Sequence, residues 1–97
     1  MSIEMTDNNW VYVVIEEAGA SEKILGQQAD GKNSAFIPAF LEKEAAQISL
    51  GQFSIDRSKK YEVQAIIYED LKTYAKSSGL MIFFLNQSGV ILDKIMP

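Results

Sequence analysis

Two stretches constrain this chain more than any other feature. Val11, Tyr12, Val13, Val14 and Ile15 form an unbroken apolar run near the start, and Leu80, Met81, Ile82, Phe83, Phe84 and Leu85 form another near the end. Successive side chains of an extended strand point to opposite faces, so such a run places apolar groups on both. A strand of that kind belongs inside a sheet covered on each side, not at an edge wetted on one. Both runs fall well short of the roughly 20 residues that a helix needs to cross a bilayer. At 97 residues, the chain reads as a single compact domain over 1–97.

The remaining elements arrange themselves around these strands. The first strand is expected over 10–16, led by Trp10, with a turn at 17–21 around Gly19. A weaker second strand follows over 22–28, where Gly26 marks a bulge or a close backbone approach. Asp30-Gly31 reads as a hairpin connection to a third strand over 34–40, completing an antiparallel meander. Pro38 has no N–H to give to a ladder, so that part of the third strand is expected at an edge or near the strand's end.

From Leu41 the period changes. Leu41, Ala45, Ala46 and Ile48 make an apolar stripe on a helix that Gly51 ends, with Phe53 and Ile55 returning to the core before a polar loop over 56–60. A strand over 61–66 precedes a helix over 68–77, whose Leu71, Tyr74 and Ala75 face inward. Glu69 and Asp70 lie at its start and Lys76 near its end, as the helix partial charges favour. Gly79 stops it. The strand over 80–85, a turn at Asn86-Gln87-Ser88-Gly89 and a last strand over 90–95 complete the chain. The fold class expected is α+β: a mostly antiparallel sheet with two helices, in the order β-β-β-α-β-α-β-β. The segments 61–66, 68–77 and 80–85 are also compatible with a parallel crossover.

The chemical inventory is narrow. The chain contains no His and no Cys, which removes imidazole bases, thiolate nucleophiles, disulfides and the usual zinc ligands. Its 13 acids outnumber its 9 bases, and residues 1–50 hold eight acids against three bases. That acidity opposes a nucleic-acid role, and Arg57, Lys59 and Lys60 read as a solvated connection. Glu16 and Glu17, Glu42 and Glu44, and Glu69 and Asp70 are neighbours along the chain, whereas an acid–base pair needs convergent side chains with separated pKa values. No glycine cradle or calcium loop is present in the sequence. Asn86-Gln87-Ser88 matches a glycosylation sequon and reads as a turn.

No catalytic residue, no cofactor and no metal is therefore expected, and the chain is read as a non-enzyme. Residues 1–9 lack a basic cluster followed by an apolar run, so no secretory signal is read there. They are expected to be a flexible amino-terminal segment of a soluble, cytoplasmic protein. Trp10, Tyr61 and Tyr68 each combine an apolar ring with a polar tip and are the candidate protein-contact residues. Sheet edges offer a further route to partners, including a second copy of the chain.

The Trp10-Val11-Tyr12-Val13 strand, the Asp30-Gly31 turn, the segment from Phe36 through Pro38 to Phe40 leading into Glu44-Ala45, and the later helix entry at Ile66 together resemble the DUF2750 group of small bacterial domains of unknown function. A more distant likeness is to the amino-terminal domain of SseB-like proteins. This chain departs from the pattern at Leu41-Glu42-Lys43, where an aromatic residue or a histidine is usual. The resemblance implies a compact α+β fold and a bacterial accessory role, and it brings no active residues. Two functions are expected from these observations. One is a non-catalytic protein-interaction domain that self-associates or binds another protein; the other is an immunity-type protein whose acidic half faces a basic toxin. A hydrolase using carboxylates alone comes third.

Overall fold

The computed structural model describes residues 6–16, 23–28, 35–51 and 60–96. In chain order these form β1 (Trp10–Glu16), β2 (Lys23–Ile24), β3 (Gln27–Gln28), β4 (Ala35–Phe40), α1 (Lys43–Leu50), β5 (Tyr61–Ile67), α2 (Tyr68–Ser78), β6 (Met81–Leu85) and β7 (Ile91–Ile95). The fold is α+β, with a mostly antiparallel sheet and two helices in the expected order, the second expected strand being divided into two short pieces.

That division has a geometric cause. β2 pairs antiparallel with the end of β1, β3 pairs antiparallel with the start of β4, and β1 is itself antiparallel to β4. β2 and β3 must then run in opposite directions, so the chain reverses at Leu25-Gly26. The reversal is seated by a 2.8 Å bond from the Leu25 N–H to the Val14 carbonyl. The pair forms a wedge where β1 and β4 separate beyond the direct pairs Tyr12–Phe40 and Val13–Ala39.

The expected meander gives way to a different strand order. β1 lies between β4 and β5, and pairs with β5 over all seven residues from Trp10–Ile67 to Glu16–Tyr61. β4 lies between β1 and β6, its pairing with β6 being parallel and that of β6 with β7 antiparallel. Pro38 accordingly sits in an interior strand, fully buried, and not at an edge. It falls between the residues of β4 that pair with β1 (Ala39 and Phe40) and those that pair with β3 (Ala35 and Phe36). A residue without an N–H occupies the interruption in that ladder.

β5 runs parallel to both β4 and β6, because β1 is antiparallel to β4 and to β5. The connections β4–α1–β5 and β5–α2–β6 are thus both parallel crossovers. They travel in opposite directions across opposite faces of the sheet, which gives them the same hand.

The apolar strands are buried on both sides. On one face Val11, Val13, Ile15, Ile37, Ala39, Ile82 and Phe84 pack with Tyr68, Leu71 and Ala75 of α2. On the other, Phe40, Phe83 and Leu85 pack with Ala46 of α1, joined by Tyr12, Phe36 and Val63. The Phe36 and Phe83 rings stack there at 4.3 Å.

α1 is rotated from the expected stripe. Ala46 and Ser49 are buried, while Ile48 is 44% and Leu41 is 41% exposed. The small side chains let the helix lie close to the sheet, and the Ser49 hydroxyl faces the Asn86 and Gln87 carbonyls at 3.3 Å each, which fixes the rotation. α2 follows expectation at Leu71 and Ala75, and ends at Gly79 in the left-handed region with φ 68°.

The Asn86 turn is also as expected. Its side-chain carbonyl accepts the N–H groups of Ser88 and Val90, which engages the sequon asparagine in closing the β6–β7 hairpin. The turn at 17–21, the Asp30-Gly31 connection, Phe53, Ile55 and the basic run Arg57-Ser58-Lys59 lie outside the described residues.

Candidate functional site

The three aromatic contact candidates separate. Trp10 opens β1 and is 59% exposed. Tyr61 is half-buried at the opposite end of the β1–β5 pair, six residues along a strand from the position facing Trp10, or roughly 20 Å at the usual rise. Tyr68 is only 7% exposed and packs edge to face on Phe84 with centroids 5.9 Å apart. The structure therefore places Tyr68 in the core and leaves Trp10 as the exposed ring of the three.

Tyr68 also belongs to a polar arrangement not evident in the sequence. Helix α2 has no side-chain cap at Ile67. Its first N–H groups are instead satisfied from the amino-terminal turn: Tyr68 donates to the Asn9 carbonyl at 2.8 Å and Glu69 to the Asp7 carbonyl at 3.0 Å. The turn is held by the Asn9 side-chain carbonyl, which accepts from the Thr6 N–H at 2.8 Å. Residues 6–9 thus supply the hydrogen bonds of a helix cap.

Asp7 in the same turn pairs with Lys72, whose ammonium lies 4.8 Å from the centroid of the Tyr68 ring. The hydrogen bond to Asp7 is the main cause that raises the Lys72 pKa above its ordinary value. Burial raises that of the Tyr68 phenol, with Lys72 opposing and Asp93 and Asp7 adding to the rise.

Among the described residues the carboxylates do not converge into a chemical site. Glu42, Glu44, Glu69 and Asp70 are exposed, and Glu16 pairs with Lys23 at 3.4 Å. Among the described residues no group of three or more acids is placed to hold a metal ion, and every buried side-chain polar atom has a hydrogen-bond partner. No described helix is long and apolar enough to cross a membrane.

The most distinctive surface lies on the α1 side of the sheet. Leu41, Ile48, Val90, Ile91 and Leu92 are all large, apolar and substantially exposed. They belong to α1, its approach and the β6–β7 hairpin, which the Ser49 bonds to Asn86 and Gln87 hold together. A register shift in β7 contributes to this surface. Leu85 pairs with Ile91 and Phe84 with Asp93, so Leu92 is an extra residue bulged from the ladder.

Leu41 and Leu92 line a cleft with Glu42, Glu44, Leu85 and Ser88. Lys94 of β7 places its ammonium 5.2 Å from the centroid of the Phe83 ring. Sequence reasoning missed this surface because it assigned Leu41 and Ile48 to the core. The available signal was the pair of small residues Ala46 and Ser49, which share a helix face one turn apart.

The chain matches no family model, no curated protein and no solved structure.

Proposed function

We propose that this protein is a non-catalytic protein-interaction domain that binds another protein through the α1 side of the sheet. The supporting observation is the exposure of Leu41, Ile48, Val90, Ile91 and Leu92 on elements tied together by hydrogen bonds. Grouped apolar exposure of this kind marks binding surfaces more often than isolated exposed residues do. On this reading the protein needs no cofactor, has no catalytic residue and acts in the cytoplasm. The resemblance to the DUF2750 group, carried by the Trp10-led strand and the segment from Phe36 to Phe40, accords with a bacterial accessory protein that works by contact.

The immunity-type reading is favoured by one further observation: Glu42 and Glu44 line the same cleft as Leu41 and Leu92. A partner there would bring apolar anchors with basic groups around them.

Affinity capture from native extract tests both, with the wild-type chain and the Leu92→Lys and Glu42→Lys/Glu44→Lys variants as baits. The interaction reading expects a protein retained by the wild type and lost from Leu92→Lys, with reconstitution from the purified partner reproducing the difference. The immunity-type reading further expects loss with the double variant and weakening by salt. Identical captures from wild type and Leu92→Lys would rule out this face as the contact.

A further inference from the structure

The sheet has two outer strands among the described residues, and they differ in how well they suit a second copy. When two identical edges meet about a two-fold axis perpendicular to the sheet, directly opposed residues must lie on the same face. Residue numbers in each opposed pair then sum to an even number. Centred registers of β7 set Asp93 against itself or Lys94 against itself, and its Leu92 bulge breaks the ladder. Like charges directly opposed destabilise a strand pair.

β5 behaves differently. It is seven residues long, regular along its whole pairing with β1, and carries Glu62 as its one charged residue. Among the described residues no strand pairs with its outer edge. Centring the two-fold axis on Gln64 opposes all seven residues: Ile67 faces Tyr61 of the partner subunit, Ile66 faces the partner's Glu62, and Ala65 faces the partner's Val63. No like charges meet.

The same register bears on Trp10. Trp10 pairs with Ile67 and so lies on that residue's face of the sheet, one strand inward. In the paired edge Ile67 is flanked by Trp10 on one side and by the partner's Tyr61 on the other. The two aromatic residues, separated by the length of a strand in one protomer, then lie on one face two strands apart, roughly 10 Å, with Ile67 between them, so the 59% exposed indole stands beside the new junction.

We infer that two copies of this chain associate antiparallel through their β5 edges, centred on Gln64, to form one continuous sheet in which Trp10 and the partner's Tyr61 flank Ile67. This contact lies on the opposite edge of the sheet from β7, so it goes beyond the proposed binding face.

Sedimentation across a dilution series tests the inference, read beside the fluorescence of Trp10, the single tryptophan of the chain. The wild type is expected to dimerise, with Trp10 emission moving to shorter wavelength as the dimer fills. Gln64→Lys and Gln64→Glu each oppose like charges at the axis and are expected to weaken association about fivefold. An equimolar mixture of the two variants opposes unlike charges and is expected to restore it. Circular dichroism of each variant confirms that the fold is retained, since Gln64 is half-buried and polar. A wild type that stays monomeric overturns the inference and leaves the proposed binding face standing. So does a dimer indifferent to both substitutions, or a mixture no tighter than its components.

Discussion

The Lys72 ammonium pairs with the Asp7 carboxylate while lying against the ring of Tyr68, 4.8 Å from its centroid. One lysine thereby connects the amino-terminal turn to the helix that the turn caps. The backbone does the capping through the Asn9 and Asp7 carbonyls, and the side-chain pair holds the turn over the helix entry. Because α2 covers one face of the sheet through Tyr68, Leu71 and Ala75, this small polar arrangement bears on the packing of a whole layer.

Alkaline pH should expose that connection. Lys72 and Tyr68 both have pKa values raised in the fold, from ordinary values of 10.5 and 10.0. The folded state then holds these protons more tightly than the unfolded chain. Their contribution is complete below the unfolded values and is lost as pH rises through the folded ones. Denaturant midpoints are expected to be level through neutral pH in respect of these groups and to fall above about pH 10. Asp7→Asn should lower the midpoint at neutral pH and converge with the wild type once Lys72 is deprotonated. A constant gap at every pH would contradict this account.

Ser49 is the buried polar residue of the described core, and its hydroxyl has one proton to share between the Asn86 and Gln87 carbonyls. Ser49→Ala removes that donor without opening a large cavity. Urea unfolding should show a loss of about 0.5 to 1.5 kcal/mol, the usual net worth of one hydrogen bond, since the Asn86 carbonyl still accepts from the Gly89 N–H at 3.0 Å. A variant as stable as the wild type would mean that these bonds do not set the rotation of α1.

That rotation makes a second prediction about apolar residues. Leu71 is fully buried and Ile48 is 44% exposed. Leu71→Ala should cost about 2 to 5 kcal/mol in unfolding experiments, whereas Ile48→Ala should stay within about 0.5 kcal/mol, as surface changes do. Comparable losses would place Ile48 in the core after all.

Gly79 closes α2 at φ 68° and ψ 30°, and a Cβ added there would meet nothing within 4 Å. The cost of Gly79→Ala is therefore conformational and should amount to about 1 to 2 kcal/mol in thermal or chemical unfolding. Gly79→Asn should cost less, because asparagine enters the left-handed region more readily. Equal effects from the two substitutions would point to a cause other than backbone geometry.

Much of the local structure was legible in the residues. β1 follows from its aromatic and β-branched run, and α2 from the spacing of Leu71 and Ala75, with Gly79 to end it. Gly26 was read as a bulge or a close backbone approach within one strand, whereas the chain reverses there between β2 and β3, which one glycine does not foretell. Of the candidate contacts, Trp10 is exposed and Tyr68 is buried. Both rings occupy element starts, and nothing in their own sequence neighbourhoods distinguishes the one that α2 carries over Phe84.

Which segments extend, which coil and that the inner strands are apolar on both faces follow from the residues alone, because these properties repeat over a few residues and are set by local geometry. That β1 takes β5 as its full-length neighbour, that Pro38 lies in the middle of the sheet and that α1 turns Ile48 outward emerge with the assembled fold. Those outcomes depend on contacts between residues distant in the chain. Their energies compare whole arrangements of strands and helices, and no short window of sequence contains both partners of the comparison.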